Sequence, residues 1–507
     1  MKLVLAEKMW NAIRNEERTD QPVRSALLAD GLAAGFLEGA RSGHSGSDLY
    51  RRIDLLTEMA SFHDPEISLT GATALYTGII EPLCDSFASA QIEVCTRVLA
   101  RVISHVRQDP RGAAMNAILV RHGLTGEDEL VARHTRLAAR RERIGDRPQT
   151  IVILSRVTVG ADVAITSVLL NRLAQRFPGA RLLLVAPPKQ AEIFGGLANI
   201  EIIPLDYPRS GPLFGRLAAW PRLVELVGQL TSGANDGDVL LFDPDSRLSQ
   251  LGLLPTTPEQ HTYYFYSRME PPTDKGQTLS ELANSWLDLV CGEAEAAYPQ
   301  LWLPSHFQQL ALSLRRRLNA KGCRCLLTIN FGVGNNEKKR ISAQFEEDLL
   351  LALLRQTQKT IILLDSGTGA EGRCRTEKLL AAASRQGLAT VSLAEQNLPS
   401  FSVPFDHGLI GFSGSLGSLA AIIGCSELFI GYDSACQHLA SAQARPTIII
   451  FAGAPSSRFI ERWRPMRREG VVTVPVMEAQ SLSIAAQESV REAVLAAIRK
   501  LLPAGWR

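Results

Sequence analysis

Two rhythms of apolar residues divide this chain. Up to about residue 147 they recur every three or four positions, the spacing of amphipathic helices; AQIEVCTRVLARVISHVRQ, residues 90–108, is representative. Breaks at 42–47 (SGHSGS), 63–65 and 109–112 separate these helices. No repeat of fixed period runs through them. At Pro148 the rhythm changes to short runs of consecutive aliphatic residues, each followed by a helical stretch. Residues 151–154 predict a strand, 163–176 a helix, Pro178 and Gly179 a break, and 181–185 a second strand; 200–203 and 239–242 predict two more. The pattern restarts near Cys323. Strands are expected at 325–329, 360–364, 390–392, 428–430 and 447–451, with helices at 343–356, 371–386 and 416–423 between them. A terminal helix at 484–502 carries Val490, Val494, Ile498 and Leu501 on one face. Continuous apolar strands alternating with helices predict parallel α/β sheets. The expected plan is therefore an all-helical N-terminal domain (1–147), a Rossmann-like α/β domain (148–322) and a second one (323–507) closed by the last helix. Ligands should bind in the cleft beyond the carboxyl ends of the strands.

Composition narrows the class. A length of 507 residues suits about three domains. Hydrophobic residues at 46% and charged residues at 21% describe a globular protein. A net charge of +2 argues against a dedicated nucleic-acid binder. No apolar run approaches the roughly 20 residues that span a bilayer, and the opening MKLVLAEKMWNAIRNEER does not read as a signal peptide. The eight cysteines are scattered, and Cys323 and Cys325 fit neither a zinc nor a thioredoxin-type spacing, so a reduced cytoplasmic setting is expected. Arg133, Arg136, Arg140, Arg143 and Arg147 fall at steps of three and four. Such a stripe is either a solvated face or a contact for an acidic surface, at the inner face of a membrane or on a neighbouring subunit.

The most informative stretch is LFIGYDSACQHLASAQARPTIIIFAG, residues 428–453. It reads as strand, helix start at Asp433 and Ser434, helix with His438 in its first turns, and strand. The amino end of such a helix offers unpaired N–H groups and the positive end of its dipole, a ready place for a phosphate. Asp433 and Ser434 also suffice as plain helix caps.

In this setting four segments, in order, resemble glycosyltransferase family 9, the ADP-heptose:lipopolysaccharide heptosyltransferases and their relatives. They are SRVTVGADVAITSVLLNRLAQRFPGARLLLVAPP, DVLLFDPDSRLSQLGLL, TINFGVGNNEKKRISAQFEEDLLLALLRQTQKTIILLDSGTGAEG, and the 428–453 segment with the Trp463-Arg464-Pro465 that follows it. The likeness spans about 148–480 and omits the helical part. It departs from the family pattern at three places. Gly160-Ala161-Asp162 is one residue longer than the family's Gly-Asp. Ala435 replaces a glycine. Lys338 and Lys339 are followed by Arg340-Ile341-Ser342, without the family's Trp and Pro.

The resemblance implies a GT-B fold and an inverting transfer of heptose or a related sugar from a nucleoside diphosphate, ADP-heptose first, to a hydroxyl of a glycan, glycolipid or protein. It implies Asp162 as general base at the cleft. The diphosphate would lie on the helix start at Ser434 and Ala435, assisted by Lys338 or Lys339. Glu371 would meet ribose hydroxyls, Asp433 the sugar hydroxyls, and His438 the phosphate edge or the packing beneath it. No metal or other cofactor is expected, and Asp243-Pro244-Asp245, a DxD-like triplet, reads as a turn. The departures keep a second reading open, a catalytically silent nucleotide-sugar-binding or scaffold protein of the same fold, and a weaker third, a nucleotide-sugar 2-epimerase. The helical module is expected to fold by itself and to serve acceptor or partner specificity.

Overall fold

The computed structural model describes residues 1–502 apart from 16–19, 45, 146–147, 236, 270–275, 335, 368 and 468. Helices Leu3–Asn15, Gln21–Arg41, Ser47–Ala60, Pro65–Thr73, Ser89–Val106, Ala113–Arg121 and Glu127–Ala139 form the amino-terminal module. Local chemistry sets their starts. The Asp64 carboxylate accepts from the backbone N–H groups of Glu66 and Ile67, and Pro65 occupies the first helical position, where its missing N–H costs nothing. Pro65–Thr73 runs on through a π-helical turn, Ala74–Ile80, into the short helix Glu81–Asp85. Helix ends at Ala139, and residues 140–145, expected as helix, are not helical.

The first sheet holds β1 (Thr150–Leu154), β2 (Arg181–Ala186), β3 (Ile200–Pro204), β4 (Val239–Asp243) and β5 (Thr262–Tyr264), all parallel in the order β3-β2-β1-β4-β5. The second holds β6 (Cys325–Asn330), β7 (Thr360–Asp365), β8 (Thr390–Ala394), β9 (Gly408–Ser413), β10 (Leu428–Tyr432), β11 (Thr447–Ala452) and β12 (Val471–Val476). These are parallel too, in the order β12-β11-β10-β6-β7-β9-β8. This is the two-lobed GT-B plan behind a helical module. The order reverses between β1 and β4 in the first sheet and between β6 and β10 in the second, which are the switch points where α/β sheets bind ligands. Every strand expected from sequence is present. β5, β9 and β12 are additional.

The cores explain how the module sits. Alternate residues of β1 point to opposite faces. Ile151 and Ile153 join a core continuous with the second lobe, while Val152 and Leu154 join the core built by the helical module. That second core runs from Ala6 and Phe36 through Leu130 to Leu183, Trp220, Leu241 and Leu254. The module thus supplies one wall of the first sheet. It also touches the second lobe: Arg458 donates to the Phe87 carbonyl at 3.0 Å, and the Phe87 and Phe459 rings lie 6.4 Å apart.

The arginine stripe is corrected by this interface. Arg133 is buried and donates to the carbonyls of Gly252 at 2.7 Å and Leu253 at 3.4 Å. Arg136 pairs with Glu259 at 2.8 Å. Arg140 donates to the carbonyls of Glu259 and Thr262 and lies over the Tyr263 ring at 4.4 Å. These three side chains fasten the module to the first lobe. Arg143 is exposed beyond the helix, and Arg147 lies outside the described residues. Among the described residues no helix is long and apolar enough to cross a membrane.

Candidate active site

The two switch points face each other across the cleft. A Cβ built on Gly160 would stand 3.2 Å from Cα of Ala435 and 3.1 Å from His438, so only a glycine allows the lobes to come this close without a shift. On the second lobe, the loop after β6 delivers Lys339 to the Asp433 carboxylate at the end of β10, where the two form an ion pair. The ammonium also lies over the Phe459 ring at 5.1 Å. Burial pushes the Lys339 pKa down, but Asp433, then Asp85 and Glu81, outweigh it and hold the ammonium charged. Lys338 is exposed, so of the two lysines it is Lys339 that reaches Asp433. Its carbonyl is instead packed on Gly453, at φ +62°, where an added Cβ would stand 2.1 Å from that oxygen.

Ser434 and Ala435 keep part of their surface open, and the helix Ala435–Ala442 begins with no side chain bonded to its first amides. Those amides are the unpaired donors a diphosphate would use. The other oxygen of Asp433 accepts from Gln437 at 2.7 Å. His438 is buried against Trp463, ring centroids 6.0 Å apart, and burial lowers its pKa to about 4. It is neutral at pH 7 and brings no charge to a phosphate.

A pair that the sequence reading missed lies beside this site. Asn330 ends β6 and Asp365 ends β7; the amide donates to the carboxylate at 2.6 Å, and Ser434 reaches Asn330 at 3.5 Å. The signal was present, since each apolar run ends in a polar side chain at the carboxyl edge of its strand. Glu371 is not brought to the site. Its side chain is 77% exposed and pairs with Arg375 at 2.8 Å in the first turns of the helix Ala370–Arg385.

On the first lobe, Asp162 does not stand at the cleft before a helix, as expected. It lies within a continuous helical run, Val159–Ala161, a π-helical turn Asp162–Thr166 and Ser167–Arg176. A π turn takes up one residue more than an α turn, and it falls where this chain is one residue longer than the family pattern. The carboxylate is fully buried. Four donors hold it: Ser155 Oγ at 2.6 Å, Arg156 N at 2.7 Å, Thr166 Oγ1 at 2.7 Å and Gln190 Nε2 at 2.9 Å. Burial raises its pKa and these bonds oppose the rise. The bonds shape the turn after β1, in which β-branched Val157 adopts φ +71°, its N–H donating to Ser155 Oγ at 2.8 Å.

The Asp243-Pro244-Asp245 triplet is a structural hub. Asp243 accepts from the Ser246 amide and Ser249, while Asp245, at φ +66°, accepts from Tyr264, Ser267 and Arg268 with Arg156 at 3.6 Å. Among the described residues no group of three or more His, Cys, Asp or Glu side chains could hold a metal ion.

Residues 380–486 match Glycosyltransferase family 9 (heptosyltransferase), a span that contains Asp433, Ser434, Ala435, His438 and Trp463. That segment is heptosyltransferase-like, in agreement with the resemblance read from sequence. No curated protein matches the chain. Among solved structures, a glycosyl transferase family 9 protein from Veillonella parvula is 16% identical, covering 71% of this chain and 99% of its own, with a TM-score of 0.49. The E. coli ADP-heptose lps heptosyltransferase II is 14% identical over 69% of this chain and 99% of its own, TM-score 0.45. The E. coli heptosyltransferase WaaC with ADP-2-deoxy-2-fluoro heptose is 13% identical over 68% and 99%, TM-score 0.45.

Proposed function

We propose that this chain, which carries a glycosyltransferase family 9 segment, moves a sugar from a nucleoside diphosphate to an acceptor hydroxyl with inversion, with ADP-heptose the first donor to test. The observation that carries the reading is the Lys339–Asp433 pair at the open start of the helix Ala435–Ala442, inside and beside the family segment. A leaving diphosphate gains charge as the sugar departs. The helix amides and the Lys339 ammonium are fixed donors aimed at that charge, and fixed donors stabilise a transition state without reorganising. Asp433 would exchange its bond to Lys339 for the sugar hydroxyls. The Asn330–Asp365 pair would serve the nucleoside side. With this cationic end in place, no metal is assigned to the transfer.

Inversion by one displacement needs one base for the acceptor hydroxyl. We assign Asp162 a positioning role, because all four of its donors come from the protein and its surface is closed. The same burial favours the second reading, a protein of this fold that binds a nucleotide sugar without turning it over. The acceptor, whether glycan, glycolipid or protein, is held at the cleft from the first-lobe side in this reading.

Melting the protein with ADP, GDP and UDP, and assaying release of each diphosphate from its sugar, separates these readings. A bound nucleotide at a hundred times its Kd stabilises by about 2.7 kcal/mol, so at least one should raise Tm, and Lys339→Met should abolish the rise. Release of diphosphate, unaffected by EDTA, supports transfer. Binding without release supports the silent protein, and no binding at all removes both.

A further inference from the structure

Two of the eight cysteines meet in the interior of the amino-terminal module. Cys84 lies near the end of the helix Glu81–Asp85 and Cys95 in the second turn of the helix Ser89–Val106. Both are buried, and their sulfurs stand 3.4 Å apart. Cys323 and Cys325 are closer in sequence, yet the Cys323 thiol turns to the Cys325 carbonyl at 3.0 Å. Sulfurs already in contact need only a small approach to reach the ~2.05 Å of a disulfide. We infer that Cys84 and Cys95 form a disulfide on meeting hydrogen peroxide, and that this bond loosens the module's hold on the second lobe. The inference goes beyond the transfer reading and does not depend on it.

Access and chemistry both favour this pair. A cavity of about 10 Å³, room for one water, adjoins the two sulfurs. Thr96, His134, Tyr266 and Arg268 give it polar walls. Hydrogen peroxide comes nearest to that size and polarity among common oxidants, whereas a glutathione-sized disulfide is far too large. The hydrogen bond with Cys95 draws the Cys84 thiol below its ordinary pKa, against burial and with help from Arg268. The same bond, together with burial, keeps Cys95 protonated. One sulfur is thus the readier nucleophile and the other the resolving thiol.

The steps balance. The Cys84 sulfur, its proton released, takes one peroxide oxygen as the O–O bond breaks, which leaves a sulfenic acid. The second oxygen departs with the released proton as water. The Cys95 sulfur then bonds the Cys84 sulfur, the S–O bond breaks, and hydroxide leaves with the Cys95 proton as a second water. Two thiols are oxidised and one peroxide is reduced. In a reducing compartment such a bond is transient, which suits a sensor.

The turn between the two sulfurs is the part of the module that the second lobe grips. Ser86 Oγ donates to the Leu83 carbonyl at 2.7 Å and accepts from the Ala88 amide at 3.2 Å. Phe87 stands there at φ +51°, strained for an aromatic residue, with Arg458 on its carbonyl and Phe459 against its ring. Phe459 in turn lies under the Lys339 ammonium. Drawing the sulfurs together moves both ends of this turn. A strained turn has little freedom to absorb the movement, so Phe87 parts from Arg458 and Phe459.

The test uses the full chain carrying Cys374→Ser, which removes the exposed thiol. Hydrogen peroxide should remove two titratable thiols, join the peptides that hold Cys84 and Cys95 with the loss of two hydrogens in mass, and be reversed by dithiothreitol. Oxidised glutathione over the same time should leave both thiols intact. Hydrogen exchange across residues 457–463 should become about threefold faster on oxidation and recover on reduction. Cys84→Ser should keep the reduced exchange pattern and lose the response to peroxide; Cys95→Ala makes the same test if the first variant folds poorly. Thiols that survive peroxide, or that pair with other cysteines, overturn the site. Equal oxidation by glutathione disulfide overturns the cavity as the route. A Cys84–Cys95 bond that leaves exchange at 457–463 unchanged overturns its effect on the second lobe. Nucleotides that fail to raise Tm in the reduced protein count against the transfer reading alone, since neither the thiol count nor the exchange rate involves them.

Discussion

Asp162 shows how a residue can be legible in sequence while its role is not. Its position beyond the first strand could be read from the chain, and it was expected at the cleft. The geometry fills its oxygens with donors from Ser155, Arg156, Thr166 and Gln190, the last twenty-eight positions away. Asp162→Asn tests the difference between a base and a support. The amide keeps the shape but aims an NH₂ at groups that already donate, which leaves buried polar groups unsatisfied at about 1–3 kcal/mol. The expected outcome is a lower urea midpoint with unchanged nucleotide affinity; full stability would show that the four bonds are not what holds the turn. Of the two candidate lysines, folding brings Lys339 to Asp433, because adjacent residues in a short 3-10 turn point in different directions. Asn330 and Asp365 escaped notice since a single polar residue closing a strand carries no spacing rule.

Elements were easier to read than side chains. Parallel strands buried on both faces are continuous apolar runs, and each run expected to be a strand after Pro148 is one. The three that escaped have local reasons. β5 is three residues long, β9 carries Gly408 and Gly411, and β12 is an edge strand containing Pro475, whose missing N–H is tolerated where only one neighbour pairs. The turn after β11 has a measurable consequence. Gly453 is left-handed and lies against the Lys338 carbonyl, so Gly453→Ala must displace the loop that presents Lys339. We expect the nucleotide-induced rise in Tm to be lost while far-UV circular dichroism stays that of the wild type. A variant still stabilised by nucleotide would show that the lysine loop adapts.

At the scale of the whole molecule, the boundary near residue 147 marks a change of pattern and not of core. The expectation of a helical module folding by itself meets a core in which Leu130 and Phe36 pack in one cluster with Leu183 and Leu241. Removing residues 1–147 should uncover the Val152, Leu154, Leu183 and Val185 face of the first sheet, and the remaining protein should be insoluble or melt far below the full chain. A soluble 148–507 fragment that still binds nucleotide would restore the independent module. The shared core also governs how the protein is made. Helices from Ala6 to Leu130 leave the ribosome before the strands that cover them, and the last of their partners, Leu254, follows 254 − 130 = 124 residues later. At translation rates of ~5–20 residues per second that is a wait of ~6–25 s. Through that interval the face of the module that the first sheet covers, Leu130 included, waits without its partner strands. We therefore expect the yield of folded protein in cell-free synthesis to rise when a chaperone is present during translation, more than when it is added afterwards.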